Sequence, residues 1–290
     1  MKFGGGKKLE VRDQCNLCGK TKDQVRKLLV GLYGAVCSDC LELCMEILSS
    51  DGSRTHAPEH FDTLTHGSSL AGDVLFANQM LPKAGLVTMH SGNASGYDPD
   101  SGLVLIKPSG VDYEALTLGS LVRVRASDGS SLTPQPPLPE GEGELRPSVD
   151  LPHHLFLYRN LPGVRGIVHT HSNYATAFAA LGRPIPCVLT AIADEFGGPI
   201  PCAPYVDNEG DHIGEAILRH KNDRSPAILL ANHGVFAWGD SPRAALKAAI
   251  MVEDVARTVW LAMQIEEPYP MPKGEIEKWW DRYQNRYGQS

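Results

Sequence analysis

The sequence has no long apolar run and no excess of positive charge. No stretch of about twenty apolar residues occurs, so we predict no membrane span. The amino terminus lacks the apolar core of a secretory signal, and we therefore expect a cytoplasmic protein. With 27 Lys and Arg against 34 Asp and Glu, the formal net charge is −7, which argues against a general nucleic-acid binder. In a reducing compartment, the 7 cysteines favour metal ligation over disulfides.

Four of these cysteines form one pattern near the amino terminus. Cys15 and Cys18 make one Cys-x2-Cys pair, and Cys37 and Cys40 make a second. Two such pairs at this separation are typical of a tetrahedral four-cysteine zinc site. The alternatives are two disulfides or a redox-active Cys-x-x-Cys motif. A module of about forty residues cannot be stable through hydrophobic burial alone, so we expect a structural zinc ion to supply folding energy.

A second candidate metal site lies further along the chain. Residues 164–172 read Val-Arg-Gly-Ile-Val-His-Thr-His-Ser, a short apolar strand that ends in His169 and His171. Side chains alternate faces along a strand, so these two imidazoles project from one side and can share a metal ion. A half-exposed strand end is the alternative. His233 follows a buried strand and precedes Gly234, and it would complete a three-histidine set.

Two turns rich in small residues offer groups that bind anions. Residues 91–96, Ser-Gly-Asn-Ala-Ser-Gly, follow a predicted strand over 86–90. A second predicted strand, over 102–106, runs into residues 107–110, Lys-Pro-Ser-Gly. At adjacent strand ends, such turns would form a nest for a phosphate, although each alone is ordinary turn chemistry. Asp150 precedes a predicted helix and, taken alone, would be its N-cap.

Seven short stretches occur in the order found in the class II aldolase/adducin family. They are G-N-A-S, K-P-S-G-V-D-Y, R-P-S-V-D, I-V-H-T-H-S, A-D-E-F-G-G, N-H-G-V-F-A-W-G and R-Y-G-Q. The chain resembles this family from about residue 62 to 289, and most closely its L-ribulose-5-phosphate 4-epimerases. The resemblance implies an α/β fold, a three-layer α/β/α sandwich with a central, mainly antiparallel sheet. It also implies a homotetramer with active sites at the subunit interfaces.

The same resemblance implies roles for particular residues. The three histidines would ligate a catalytic zinc ion, with Asp150 as an acidic catalytic residue near the metal. Positions that match substrate- and phosphate-binding residues of the family are Asn93, Lys107, Ser109, Gly110 and Ser148. Asp194 and Tyr287 match the proton-transfer pair of the epimerases and would come from a neighbouring subunit.

Two positions depart from the epimerase pattern. Val149 stands where a second serine is usual, which removes one expected hydrogen bond to the phosphate. Trp279 or Trp280 stands where a histidine is often seen, so the pocket or the substrate would differ.

The resemblance to this family implies a zinc-dependent enzyme that acts on a phosphorylated ketose, and the residues present fit that chemistry. In the epimerase reaction, a retro-aldol step breaks the bond between carbons 3 and 4, and the metal holds the resulting enediolate. Re-addition to the other face of the aldehyde inverts carbon 4, which needs an acid/base group on each side. The alternative is a class II aldolase or related lyase that cleaves another ketose phosphate. A non-catalytic, adducin-like binding protein is a third hypothesis, disfavoured because all three histidines are present.

The cysteine-rich segment carries a second resemblance. Its text, C-N-L-C-G-K-T to V-C-S-D-C-L-E-L-C, resembles the zinc-binding domain of the ClpX unfoldase. This implies a module for a dimer contact or a protein partner, but no ATPase, because no Gly-x4-Gly-Lys-Ser/Thr phosphate loop follows. We predict a ClpX-type domain over 8–50, a linker over 51–60 and a class II aldolase/epimerase domain over 61–290.

Overall fold

The chain divides into two units, Met1–Asp62 and Thr63–Ser290. A computed structural model describes residues 14–31, 34–42, 69–132, 145–272 and 274–286. The domain boundaries proposed from the sequence stay predictions, because the expected linker lies outside the described residues.

The small unit contains an antiparallel hairpin followed by a helical segment. Its strands are β1 (Leu28–Gly31) and β2 (Gly34–Cys37), with Leu28 opposite Cys37. A 3-10 turn over Lys22–Gln24 precedes the hairpin, and residues 38–42 are helical. The second cysteine pair therefore spans the junction between a strand and a helix.

The large unit is built on a seven-stranded sheet. Its strands are β3 (Asn93–Asp98), β4 (Leu103–Ile106), β5 (Val122–Arg125), β6 (Gly166–Thr170), β7 (Cys202–Ala203), β8 (Ala227–Leu230) and β9 (Gly234–Gly239). The strand order is β5-β4-β3-β6-β9-β8-β7. Neighbouring strands are antiparallel except β7 and β8, which confirms the predicted, mainly antiparallel sheet.

Helices cover both faces of this sheet, which confirms the predicted three-layer sandwich. They are α1 (Leu70–Lys83), α2 (Leu151–Asn160), α3 (Asn173–Ala180), α4 (Thr190–Phe196), α5 (His212–His220), α6 (Pro242–Met263) and α7 (Glu275–Arg286). One apolar core lies between the sheet and α1, α3, α4 and α6, and a second lies under α2 and α5. Val168 of β6 joins the first core and Ile167 the second, as strand alternation requires. In the described part of the chain, no helix is long and apolar enough to cross a membrane.

The predicted strand over 86–90 is wrong. That segment contains Met89 at a φ of 55°, which interrupts an extended chain, and β3 lies instead over residues expected to form a turn. Small residues form β3 because two helices lie directly against its backbone. A Cβ at Gly96 would lie 2.6 Å from Leu70 Cδ1 and 2.9 Å from Pro242 Cγ.

Candidate metal centre and substrate site

Three histidines converge beside the central strands of the sheet. His169 lies near the end of β6, His171 just beyond it, and His233 in the turn between β8 and β9. Because β6 and β9 are paired, with Thr170 opposite Val235, the turn is brought against the end of β6. The ring centres are 4.7, 4.9 and 5.3 Å apart, and one nitrogen from each ring lies within 4.8 Å of the others.

The turn that carries His233 has an unusual backbone. Asn232 has a φ of 59°, a left-handed conformation that asparagine tolerates better than most residues. Its N–H donates to the carbonyl oxygen of Ala179 at 3.0 Å. Gly234 approaches β6 so closely that a Cβ there would lie 2.4 Å from the carbonyl oxygen of Thr170. These two flanking residues hold His233 against β6.

The protonation of the histidines suits metal binding. Nδ1 of His169 lies 2.9 Å from the carbonyl oxygen of Val235, which can only accept, so Nδ1 donates and Nε2 presents its lone pair. The His169 ring also stacks on Phe236, with centroids 4.3 Å apart. Burial lowers the pKa of His169 to about 3 and holds the pKa of His171 and of His233 below the usual value. All three are therefore neutral near pH 7, the form that ligates metals.

The donor set fits a divalent metal ion such as zinc. It offers three neutral ring nitrogens at mutually close range, the protein contribution typical of many catalytic zinc sites. His169 is buried, His233 is half-buried and His171 is exposed, so one side of the group faces solvent. A fourth coordination position would be accessible to substrate from that side.

Asp150 is directed into this site and does not act as a helix cap. It occupies the N-cap position of α2, but its side chain accepts no hydrogen bond from the helix backbone. Its Oδ2 instead accepts from Nδ2 of Asn93 at 2.6 Å, and the same amide donates to Oγ of Ser148 at 3.0 Å. Burial raises the pKa of Asp150, but the charges that His169 and His154 carry when protonated at low pH, together with the Asn93 hydrogen bond, outweigh it, so the net pKa is lowered. Asp150 is therefore an ionised carboxylate beside the histidines.

Three separate segments bring the predicted phosphate-binding residues together. The N–H of Ser109 donates to the carbonyl oxygen of Arg146 at 2.8 Å, and the N–H of Ser148 donates to that of Lys107 at 3.0 Å. Ser148 also contacts Asn93 at the start of β3. The segment after β4, the segment before α2 and the start of β3 therefore form one patch beside Asp150.

The rim of this patch is open. Ser109 and Gly110 are exposed, with Gly110 at a φ of 71°, while Lys107 and Asn93 are buried. Val149, the departure from the epimerase pattern, is 77% exposed.

The charged groups that act on Asp194 within its own chain do not include the three histidines. Asp194 belongs to α4, which packs against α7. Burial raises the pKa of Asp194. The charge of Arg282 opposes this shift and the charge of Glu195 adds to it, and the net pKa is raised. Within the described residues, its Oδ1 is buried without a hydrogen-bond partner. Tyr287, the other member of the expected pair, directly follows α7 and lies outside the described residues.

Side-chain contacts of Lys247 join α4, α6 and α7. Glu195 of α4 is buried, and its Oε2 lies 2.7 Å from Nζ of Lys247 in α6. The same ammonium lies 4.9 Å from the ring centre of Tyr283 in α7. Trp279 packs against the large core, and Trp280 approaches Gly197 at the end of α4, so both tryptophans contact their own chain.

Sequence reasoning missed two buried groups next to the site. Tyr113 ends the motif K-P-S-G-V-D-Y and lies beside Lys107. The ammonium nitrogen of Lys107 is 4.8 Å from the centre of the Tyr113 ring. His154 is buried, and its Nδ1 lies 2.7 Å from Oγ of Ser95, which in turn lies 2.7 Å from the hydroxyl of Tyr158. The one sequence feature that could have drawn attention to Tyr113 is its place in a recognised motif. No sequence feature of the helix that contains His154 indicates that this histidine is buried next to the site.

The four cysteines of the small unit gather as predicted. Their Sγ atoms lie within 4.8 Å of one another, with Cys18 and Cys37 at 3.7 Å, and the described cysteines form no disulfide. The N–H groups of Leu17 and Cys37 donate to Sγ of Cys15. Burial opposes ionisation, but these and other hydrogen bonds lower the pKa of Cys15 to about 6. The group fits a structural zinc ion.

Comparison with known proteins identifies the class. The family profile of the Class II Aldolase and Adducin N-terminal domain matches residues 73–260, and that of the ClpX C4-type zinc finger matches residues 13–50. The chain belongs to the class II aldolase and adducin family. Class II aldolases use a divalent metal ion, and with the three-histidine group this makes the chain a metal-dependent enzyme of the aldolase or epimerase type.

Solved structures agree with this assignment. An L-fuculose 1-phosphate aldolase is 26% identical, with a TM-score of 0.64, over 76% of this chain and 98% of that one. YgbL of Escherichia coli, a candidate aldolase/epimerase/decarboxylase, is 26% identical, with a TM-score of 0.60. The match covers 73% of this chain and 97% of YgbL. The L-fuculose 1-phosphate aldolase of Glaciozyma antarctica, 21% identical with a TM-score of 0.62 over 73% and 80%, supports the fold alone.

Proposed function

We propose that the chain is a zinc-dependent epimerase of the L-ribulose-5-phosphate 4-epimerase type. The observation that carries this proposal is Asp194, a carboxylate with a raised pKa and a buried oxygen that has no hydrogen-bond partner among the described residues. It lies on α4 against the helix that leads directly to Tyr287. Inversion needs such a pair, whereas a reaction in which the aldehyde leaves does not.

The residues around the histidines would hold and orient the substrate. A zinc ion bound by His169, His171 and His233 would supply Lewis-acid polarisation of the ketose oxygens. Asp150, kept ionised and aimed by Asn93, would accept a hydrogen bond from a substrate hydroxyl. The phosphate would be bound by Ser109, Gly110 and Ser148, with Lys107 supplying positive charge.

The pair Asp194 and Tyr287 would manage protons at carbon 4. When the bond between carbons 3 and 4 breaks, the hydroxyl on carbon 4 loses its proton to a base on one side of the fragment. After the fragment rotates, an acid on the opposite side returns a proton to the new hydroxyl, which completes inversion. Asp194 and Tyr287 would occupy these two sides.

An assembly with interfacial sites accounts for the separation of these groups. The charges that act on Asp194 come from Arg282 and Glu195, and neither belongs to the histidine group. We therefore propose a homotetramer in which Asp194 and Tyr287 of one subunit serve the histidines of a neighbour. The four-cysteine unit would hold a second zinc ion and serve as a contact for another subunit or a protein partner.

A second candidate is an aldolase that releases the aldehyde. The similarity to L-fuculose 1-phosphate aldolase favours it, because that enzyme shares the fold across almost its whole length. A non-catalytic binding role, in contrast, would have no need for three neutral histidines at metal-binding distance.

Metal analysis combined with a panel of ketose phosphates tests the proposal. Each substrate is scored for inversion at carbon 4 and for released aldehyde, using the purified full chain. Two zinc ions per chain and inversion of ribulose 5-phosphate are expected. Cleavage without inversion would favour the aldolase, and an absence of metal at the histidines would rule out both.

Asp194→Asn tests the assigned pair directly. It should abolish inversion while leaving the zinc content intact, because the carboxylate lies outside the histidine group. Asp254→Asn, which alters an exposed carboxylate of α6, is the matched control and should keep full activity. Loss of zinc in Asp194→Asn would show that its role is assigned wrongly.

A further inference from the structure

Tyr113 makes an unusual contact with the turn that precedes β3. Its side chain is 5% exposed, and its hydroxyl lies 2.8 Å from the carbonyl oxygen of Ser91 and 2.7 Å from that of Gly92. A phenol has one hydrogen to donate, so the two consecutive carbonyls share it. The hydroxyl thus holds the backbone of the turn immediately before Asn93, whose amide orients Asp150.

The ring of the same tyrosine lies against Lys107. Nζ of Lys107 is 4.8 Å from the ring centre, within the range of a cation–π contact. Lys107 is only 2% exposed, and the one hydrogen bond of its ammonium within the described residues goes to the carbonyl oxygen of Pro108 at 3.2 Å. An ammonium has three donors, so two of them can serve an anion.

Burial and nearby charges act on the pKa of both groups. Burial, with the nearby charge of Asp150, raises the pKa of Tyr113, so the phenol stays protonated and able to donate. Burial lowers the pKa of Lys107, and the charge of Asp112 opposes that effect. An arriving phosphate would add negative charge and so favour the ammonium form of Lys107.

We propose that Tyr113 is a positioning residue for the phosphorylated substrate. One side chain joins two segments that are remote in sequence: its hydroxyl fixes the turn at Ser91 and Gly92, and its ring supports the ammonium of Lys107. It thereby sets the distance between the Asn93 amide, which orients Asp150, and the Lys107 ammonium, which would bind the substrate. This proposal rests on the proposed function, because it assumes a phosphate at this patch.

A tyrosine that merely fills the core would behave differently. Tyr158 provides the comparison, since it is 6% exposed and its hydroxyl lies 2.7 Å from Oγ of Ser95 in the interior. It touches neither the turn nor Lys107 in the described contacts. Removing either hydroxyl leaves a buried polar partner unsatisfied and lowers stability by a similar amount. Only the loss at Tyr113 should also change substrate affinity.

The test compares Tyr113→Phe with Tyr158→Phe in the full, zinc-loaded chain. The probe is inorganic phosphate, measured by calorimetry and by competition with the ketose phosphate that the chain turns over. Tyr113→Phe should weaken phosphate binding and raise KM by about tenfold, the expected effect of one lost hydrogen bond to a binding element. Its zinc content should stay unchanged, and its kcat should change much less than its KM. Tyr158→Phe should lower the Tm similarly without altering KM.

A double-mutant cycle tests the ring contact separately. Tyr113→Leu removes the ring in addition to the hydroxyl that Tyr113→Phe removes, and Lys107→Gln removes the charge. If the ring acts by supporting the ammonium, the step from Tyr113→Phe to Tyr113→Leu will lower phosphate affinity when Lys107 is present and barely lower it in the Lys107→Gln background. An equal loss in both backgrounds would overturn the ring contact.

The outcomes separate this proposal from the proposed function. If the wild-type chain binds phosphate and Tyr113→Phe binds it equally well, the positioning role is wrong although the enzyme assignment stands. If the wild-type chain binds phosphate but turns over no ketose phosphate, the proposed function fails and phosphate affinity still decides the role of Tyr113. If the wild-type chain binds no phosphate, the positioning role is overturned outright.

Discussion

Gly234→Ala should remove the metal from the three-histidine site while the chain stays folded. Gly234 begins β9 next to His233, where β9 lies against the end of β6. A Cβ there would lie 2.4 Å from the carbonyl oxygen of Thr170 and 2.6 Å from Cδ2 of His171. The Thr170 oxygen belongs to the backbone of β6, and His171 is a proposed metal ligand. Any movement that relieves the clash therefore displaces part of the metal site.

The size of that movement follows from ordinary contact distances. Carbon and oxygen atoms approach to about 3.3 Å, so the turn and the end of β6 must separate by about 1 Å. Metal–ligand distances tolerate deviations of only about 0.2 Å. We therefore expect a loss of about 100-fold in metal affinity, the upper end of the effect of disturbing the residues that support ligands. Overpacking costs about 1–3 kcal/mol, which most domains survive.

Metal content per chain and thermal unfolding are the assays. The wild-type chain should carry two zinc ions, and Gly234→Ala should retain one, at the four cysteines, with a modest fall in Tm. Gly163→Ala is the control: Gly163 has a φ of 81°, and a Cβ there would meet nothing within 4 Å. It should lower the Tm through backbone strain of roughly 1–2 kcal/mol and keep both ions. If Gly234→Ala keeps two ions and full activity, the argument that Gly234 holds His233 in place is refuted.

Three other substitutions or conditions probe the remaining groups. Cys18→Ser should leave one zinc ion per chain, because it removes a thiolate from the small unit, whereas Cys202→Ser should leave two; metal analysis decides. Asn232→Val should weaken zinc binding in titrations of the apo-protein, since a φ of 59° costs a β-branched residue roughly 1–2 kcal/mol, while Asn232→Gly should not. The acid limb of the pH–rate profile should lie above 3.8, because burial raises the pKa of Asp194 and only its ionised form accepts a proton.

Each of these predictions has a clear contrary result. Retention of both ions by Cys18→Ser would argue against the four-cysteine site. Equal zinc affinities for the valine and glycine variants would show that the conformation of Asn232 does not matter for His233. An acid limb that coincides with loss of metal, measured at each pH, would assign it to the histidines and not to Asp194.

The metal centre was partly predictable from local rules. The period of two along β6 places His169 and His171 on one side of the strand, and the structure brings their rings together. His233 could be proposed only as a plausible third member. Its position depends on the pairing of β6 with β9, which joins segments far apart in the sequence.

The substrate patch depends on contacts that local patterns do not reveal. The bridge between Pro108 and Pro147 joins two loops, and through them Lys107 meets Ser148. β3 was misassigned because its Asn-Ala-Ser-Gly start has low strand propensity, while its strand conformation comes from packing under α1 and α6. Asp150 was interpreted as an N-cap because its hydrogen-bond partner, Asn93, is remote in sequence and no local pattern reveals the contact.

In the proposed mechanism, inversion at carbon 4 and metal binding involve different parts of the molecule. An epimerase and an aldolase would both need the histidines, Asp150 and the phosphate patch. The proposal assigns Asp194 and Tyr287 to inversion alone. Next to Asp194, a salt bridge between Glu195 and Lys247 fixes α4 to α6, and α7 packs alongside with Tyr287 next in sequence. Because these contacts lie within one chain, α4 and the end of α7 would be presented together to a neighbouring site in the proposed tetramer.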